Sequence, residues 1–183
     1  MMKVVVLVTF ILFSMSCFGN SVVKSALQEV SKEYGIHYVT LSKIADIESS
    51  LNPNAKNPNS SARGLFQITD GTQTVLLKKG ARVCDMFNAK CNAEYAARLM
   101  NLNISYYKKK FGKTFRANTY NVYLAHFFGT RQAYKFLTTD ENLIASEVFK
   151  REAKYNPNLF GKNRTIKEVS DLIKNKIKKA RVL

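Results

Sequence analysis

Thr40-Leu41-Ser42-Lys43-Ile44-Ala45-Asp46-Ile47-Glu48-Ser49-Ser50-Leu51-Asn52-Pro53-Asn54-Ala55 is the stretch on which the reading of this chain turns. Leu41, Ile44 and Ala45 fall at i, i+3 and i+4, one face of an α-helix, and Asn52-Pro53 ends the run. The spacing predicts a helix over residues 40–50, entered from Thr40. Glu48 then sits at i+7 on the same apolar stripe. A carboxylate there either emerges into water at the helix end or is held in a partly buried pocket. Burial disfavours the charged form of a carboxylate, the condition a general acid working near neutral pH needs. Periodicity alone favours the plainer case, a helix-end glutamate reaching solvent.

Outward from this helix the chain reads as nearly all helical. Residues 21–34 carry Val22, Val23, Leu27, Val30 and Tyr34 at roughly helical spacing, with Gly35 as a stop. Residues 52–63 hold Asn, Pro, Ser and Lys and read as a loop, followed by short apolar pieces at Leu65–Ile68 and Val75–Leu77. Asp70-Gly71 between them is a turn signal. Helical periodicity returns over 93–111, over 119–137 with a break at Gly129, over 141–154 and over 165–181. The last of these opens on Thr165 with Glu168 three residues on, a capping-box pattern. Its lysine-dense end, Lys174 to Arg181, reads as a solvated face. Without repeats or linkers, and at this length, the expectation is one mainly α domain over residues 20–183.

The start of the chain reads differently. Met1-Met2-Lys3 precedes an apolar run from Val4 to Phe13, then small residues through Gly19. A cationic start, a short apolar run and a small-residue exit describe a secretory signal peptide over residues 1–19. The run is about half the roughly 20 residues a membrane-spanning helix needs. Cys17 raises a lipid anchor as the lesser alternative, because Ser14-Met15-Ser16 lacks the leucine usual before an acylated cysteine. Removing the signal takes one lysine and no acid, so the charge of +16, from 29 Lys+Arg against 13 Asp+Glu, stays strongly positive. Such a balance favours polyanionic partners. Outside the cytoplasm Cys84 and Cys91 make a reasonable disulfide pair, with two reduced core thiols as the alternative. His37 and His126 are not at ligand spacing to them, so no metal site is expected.

The stretch Ile47 to Ala55, with Ser61-Ala62-Arg63-Gly64-Leu65-Phe66-Gln67-Ile68-Thr69, resembles the catalytic signature of the soluble lytic transglycosylases, glycoside hydrolase family 23, which share a lysozyme-like fold. In that family a helix ends in Glu-Ser, an Asn-Pro-x-Ala turn comes next, and a Gly-Leu-Met-Gln element comes later. Gly64-Leu65-Phe66-Gln67 matches the last. Tyr123-Leu124-Ala125-His126-Phe127-Phe128-Gly129 is similar to the third motif of phage-type members, where many cellular members carry Ala-Tyr-Asn. Ala133 to Leu137 and Ala153 to Phe160, with Arg164-Thr165 and Glu168-Val169, extend the phage-like resemblance, which covers most of residues 38–173.

The resemblance implies a lysozyme-like single domain with a substrate cleft, acting on peptidoglycan without metal or organic cofactor. It makes Glu48 the catalytic acid and base and Ser49 and Gln67 substrate-binding residues. Gly64 becomes a structural residue beside the cleft. Tyr123 or His126 would stand in for the usual tyrosine, against the plainer reading of His126 as a core group. Ordinary glycosidases use two carboxylates. Asp46 points to another helix face, Asp70 has its turn and Asp85 lies between the cysteines, so no convincing second acid appears. That favours formation of a 1,6-anhydro sugar over hydrolysis. A muramidase on the same fold and a non-catalytic glycan-binding component of a secretion apparatus are the alternatives. Nucleic acid is not an expected partner, given the signal segment and the lack of a recognisable motif. Expected are a monomer in the periplasm or cell envelope, glycan strands as partner, and service to a secretion or conjugation apparatus or a prophage origin.

Overall fold

A computed structural model describes the backbone of residues 3–183 and the side chains of residues 19–183. The side chains of residues 1–18, which hold Cys17 and nearly all of the expected signal peptide, lie outside the described residues. The mainly α expectation holds: among the described residues no strand forms, and β pairing is limited to the isolated bridges Lys56–Arg63, Arg63–Ile68 and Ile144–Thr165. No described helix is long and apolar enough to cross a membrane. The chain is made of two compact units, Met1–Arg98 with Arg181–Leu183, and Leu99–Ala180.

The first unit holds α1 (Lys3–Tyr34), α2 (Tyr38–Ser49), α3 (Asp70–Leu77) and the start of α4 (Ala89–Phe111). Val23, Leu27 and Val30 of α1 bury one face, and Leu41, Ile44 and Ala45 of α2 are wholly enclosed. Leu65, Phe66, Ile68, Leu76, Tyr95 and Ala96 complete this core. Two of the boundaries that differ from the sequence reading are set by caps. α2 starts at Tyr38 rather than Thr40, because the His37 imidazole serves as N-cap and Nδ1 accepts from Val39 N at 3.3 Å. The Asp70-Gly71 pair opens α3 rather than making a turn. Thr69 caps it, accepting from Thr72 N at 3.3 Å, and Asp70 lies in the first turn, where the helix dipole favours an acid.

The second unit continues α4, then adds a 3₁₀ turn (Gly112–Thr114), α5 (Thr119–Phe128), α6 (Thr130–Thr138), α7 (Ala145–Val148), α8 (Lys150–Tyr155), α9 (Pro157–Phe160) and α10 (Ile166–Lys179). The break at Gly129 is real: it adopts φ 75°, ψ 154° between α5 and α6. The helical stretch expected over 141–154 divides into α7 and α8. Phe128, Phe136, Phe149 and Phe160 form the aromatic centre, with ring centroids 5.1–6.1 Å apart. Ile166, Val169, Ile173 and Ile177 bury one stripe of α10. The capping box at its start is formed in both directions, Glu168 N to Thr165 Oγ1 at 3.2 Å and Thr165 N to Glu168 Oε2 at 2.8 Å.

Candidate active site

Glu48 occupies the last turn of α2, half-buried, on the face whose earlier members Leu41, Ile44 and Ala45 are fully enclosed. The backbone just beyond it is unusual. Ser50 and Leu51 both take positive φ, 55° and 66°, a region costing a non-glycine residue roughly 1–2 kcal/mol. Ser50 N donates to Asp46 O at 2.9 Å and Leu51 N to Ala45 O at 3.4 Å, closing the helix, while the Leu51 side chain is buried. Asn52 then sets the turn by accepting from Asn54 N at 2.9 Å. The chain is thus halted abruptly just past Glu48.

The loop from Asn52 folds back through Ala55, whose carbonyl accepts from Gly64 N at 2.8 Å. Arg63 and Ile68 exchange both backbone hydrogen bonds, 3.2 and 3.0 Å, and enclose the Gly64-Leu65-Phe66-Gln67 element as a tight loop. Gly64 has φ 77°, and a Cβ there would collide with Met86 O and the Asn92 amide. Only glycine fits without rearrangement. Gln67 is the third non-glycine residue with positive φ, 49°. Every such residue among the described ones therefore lies in the two segments that carry the resemblance.

Asn92, which sequence reasoning missed, organises that loop from α4. Wholly buried, it accepts from Phe66 N through Oδ1 at 2.8 Å and donates through Nδ2 to Arg63 O at 3.0 Å and Met86 O at 2.9 Å. The one available signal was an asparagine between Cys91 and Ala93 on an otherwise apolar helix face. Cys84 and Cys91 are disulfide-bonded, Cα atoms 6.3 Å apart, closing the segment that contains Met86.

The other expected residues fall in different places. Ser49 Oγ donates back to Ala45 O at 3.0 Å. The Gln67 amide nitrogen donates to Gly64 O at 3.0 Å and Ala55 O at 3.3 Å, so it supports the loop. Glu48, Ser49, Gly64 and Gln67 belong to the first unit, and Tyr123 and His126 to the second, one turn apart on α5. Tyr123 is buried and stacks on Phe127, ring centroids 6.0 Å apart, and His126 is half-buried. Each other carboxylate weighed for the site has a structural partner. Asp46 pairs with Arg181 at 2.6 Å, Asp70 with Arg63 at 2.7 Å, and Asp85 accepts from Phe87 N at 2.9 Å. Among the described residues no group of three or more His, Cys, Asp or Glu is placed to hold a metal ion.

The family model of the transglycosylase SLT domain matches residues 25–149, and the chain belongs to that family. Among solved structures the chain is similar to an inactive mutant of the lytic transglycosylase Slt from Pseudomonas aeruginosa, at 15% identity and a TM-score of 0.47. The likeness covers 86% of this chain and 25% of that one, so the chain spans about a quarter of that protein's length.

Proposed function

We propose that this chain is a peptidoglycan lytic transglycosylase with Glu48 as its acid and base. It cleaves the β-1,4 bond between N-acetylmuramic acid and N-acetylglucosamine and leaves a 1,6-anhydromuramyl end. The observation that carries this reading is the position of Glu48. It ends a buried helix face, stands two residues before the positive-φ pair Ser50 and Leu51, and lies inside the span matched by the family model. Strained backbone of this kind clusters where side chains must be aimed for function.

In this mechanism the Glu48 carboxylic acid protonates the glycosidic oxygen as the bond to the muramic anomeric carbon breaks. The substrate's acetamido group stabilises the positive charge developing at that carbon. The carboxylate left behind then takes the proton of the muramic 6-hydroxyl, whose oxygen attacks the anomeric carbon and closes the anhydro ring. One carboxyl group serves both transfers and is returned to its starting state. The Gln67 amide oxygen and the Ser49 hydroxyl are the first unit's candidates for contacting the sugar. No metal or organic cofactor enters this chemistry.

The charge distribution supports a wall substrate. Between Glu94 and Asp140 the sequence holds no acid, yet it carries Arg98, Lys108, Lys109, Lys110, Lys113, Arg116, Arg131 and Lys135. Such a stretch attracts the anionic peptides and polymers of the envelope. The apolar start of the chain supports export, so the enzyme acts in the periplasm or cell envelope as a monomer, on glycan strands, where a secretion or conjugation apparatus can use it.

A muramidase would need a second acid to activate water. The structural partners of Asp46, Asp70 and Asp85 favour the internal hydroxyl as acceptor. Mass spectrometry of muropeptides released from purified sacculi separates the cases. Anhydro-muramyl ends are expected. Reducing ends in their place would make the protein a muramidase, and no release would favour a glycan-binding role.

A further inference from the structure

Residues 181–183 lie along α2 antiparallel to it, and they bind one stripe of the helix from end to end. Tyr38, Ser42, Asp46 and Ser50 recur every four residues, the spacing of a single helix face. Tyr38 OH donates to Leu183 O at 2.5 Å, and Leu183 N donates to Ser42 Oγ at 3.0 Å. Arg181 takes the other two turns. Its backbone N reaches Asp46 Oδ2 at 2.9 Å, while Nε and Nη2 reach Asp46 Oδ1 at 2.8 and 2.6 Å. Nη2 also donates to Ser50 O at 3.2 Å.

These bonds bracket Glu48. Asp46 is two residues before it and Ser50 two after it, and one guanidinium holds both. The Asp46 side chain keeps only 13% of its surface exposed, and Ser42 none, so the middle of the stripe is covered, while Ser50 and the Arg181 side chain stay exposed at its end. Ser50 is also the first residue of the strained turn that stops α2, φ 55°. A charge-assisted, two-point contact fixes orientation as well as attraction, because the planar guanidinium presents its donors in a rigid fork.

We propose that Arg181 is a positioning residue for the reaction: through Asp46 and Ser50 it locks the last turn of α2 and so fixes the aim of the Glu48 carboxyl. This inference rests on the transglycosylase reading above. Arg181 touches no substrate in it. The seam holds the helix end in a conformation that Ser50 and Leu51 would not favour unaided.

The test uses the whole protein and soluble glycan-strand oligomers as substrate. Arg181→Ala is expected to lower kcat by between about ten- and a hundredfold, the range a misplaced catalytic group produces, with KM changed little. Arg181→Lys, which keeps a cation near Asp46 but loses the fork, should recover part of the loss. Glu94→Gln breaks the Arg82–Glu94 pair, which makes no bond to α2, and is expected to lower stability while leaving kcat unchanged. Amide hydrogen exchange at Glu48 to Leu51 should quicken in Arg181→Ala and not in Glu94→Gln. Unchanged kcat, or unchanged exchange at those amides, in Arg181→Ala overturns the proposal. So does an equal loss of kcat in Glu94→Gln, which would make the effect one of general stability. A wild-type protein that yields no anhydro product contradicts the function itself. That outcome is distinct from an active wild type matched by an equally active Arg181→Ala.

Discussion

Asn92 Oδ1 accepts the backbone N–H of Phe66 at 2.8 Å, and both residues are sealed from solvent although 26 positions separate them in the chain. The same amide donates to Arg63 O and Met86 O, so one side chain satisfies three backbone groups of two loops. Burial denies Phe66 N and Met86 O any water to fall back on. The Gly64–Gln67 element is therefore held by α4, a helix that carries no residue of the expected site in this unit.

Replacing Asn92 with Ala leaves those groups without the amide. The expected loss is roughly 2–4 kcal/mol of folding free energy, read from the shift of a denaturant midpoint at constant m-value. Activity should fall as well, because Gly64 to Gln67 lose their anchor. A midpoint equal to that of wild type would mean the loop is held by something else.

Gly64 and Gly80 separate two costs of a side chain. Both have positive φ, 77° and 80°, but only at Gly64 would a Cβ meet other atoms. Gly80→Ala should cost about 1 kcal/mol from backbone strain alone. Gly64→Ala should cost clearly more and should also impair activity. Equal losses at the two positions would show that the loop yields readily around Asn92.

How much of this was legible in the sequence depended on where each residue's partner lies. The Leu41-Ile44-Ala45 stripe, the break at Gly129 and the Thr165 capping box are local, and each stands as read. The start of α2 was missed because histidine is not among the usual N-cap residues, yet His37 Nδ1 does the capping. α3 was missed because Asp70-Gly71 favours a turn in isolation, and Thr69 overrides that preference. The roles of Asn92 and of the Tyr38-Ser42-Asp46-Ser50 seam were invisible for a different reason. Their partners are distant in sequence, and a polar stripe on a helix reads as solvent-facing until something is seen to cover it.

The buried phenols predict an alkaline limit to stability. Burial pushes Tyr107 and Tyr120 above the ordinary tyrosine value of 10.0. The folded protein therefore keeps protons that the unfolded chain releases. Stability from these groups is complete below pH 10 and declines as pH rises from there toward the folded values. Denaturant midpoints measured from about pH 8 to about pH 11, with phenolate absorbance tracked alongside, should stay level and then fall. Early titration of all nine tyrosines without loss of structure would contradict the burial.

The disulfide between Cys84 and Cys91 closes a short loop around Met86, whose carbonyl Asn92 holds. Replacing both cysteines with Ser is expected to lower stability by roughly 2–3 kcal/mol, as a lower melting temperature in calorimetry. An unchanged melting temperature would mean that Asn92 alone fixes the segment.

Glu48 is proposed to carry both proton transfers, and everything else in the mechanism depends on it. Glu48→Gln keeps the size of the side chain and removes the transferable proton. Sacculus digestion by the two proteins side by side, with anhydro-muropeptides quantified by mass spectrometry, tests the assignment most directly. The expected result is a rate reduced by roughly a hundred- to ten-thousandfold in a variant that unfolds at the wild-type midpoint. Anhydro products formed by Glu48→Gln at a rate near that of wild type would contradict it.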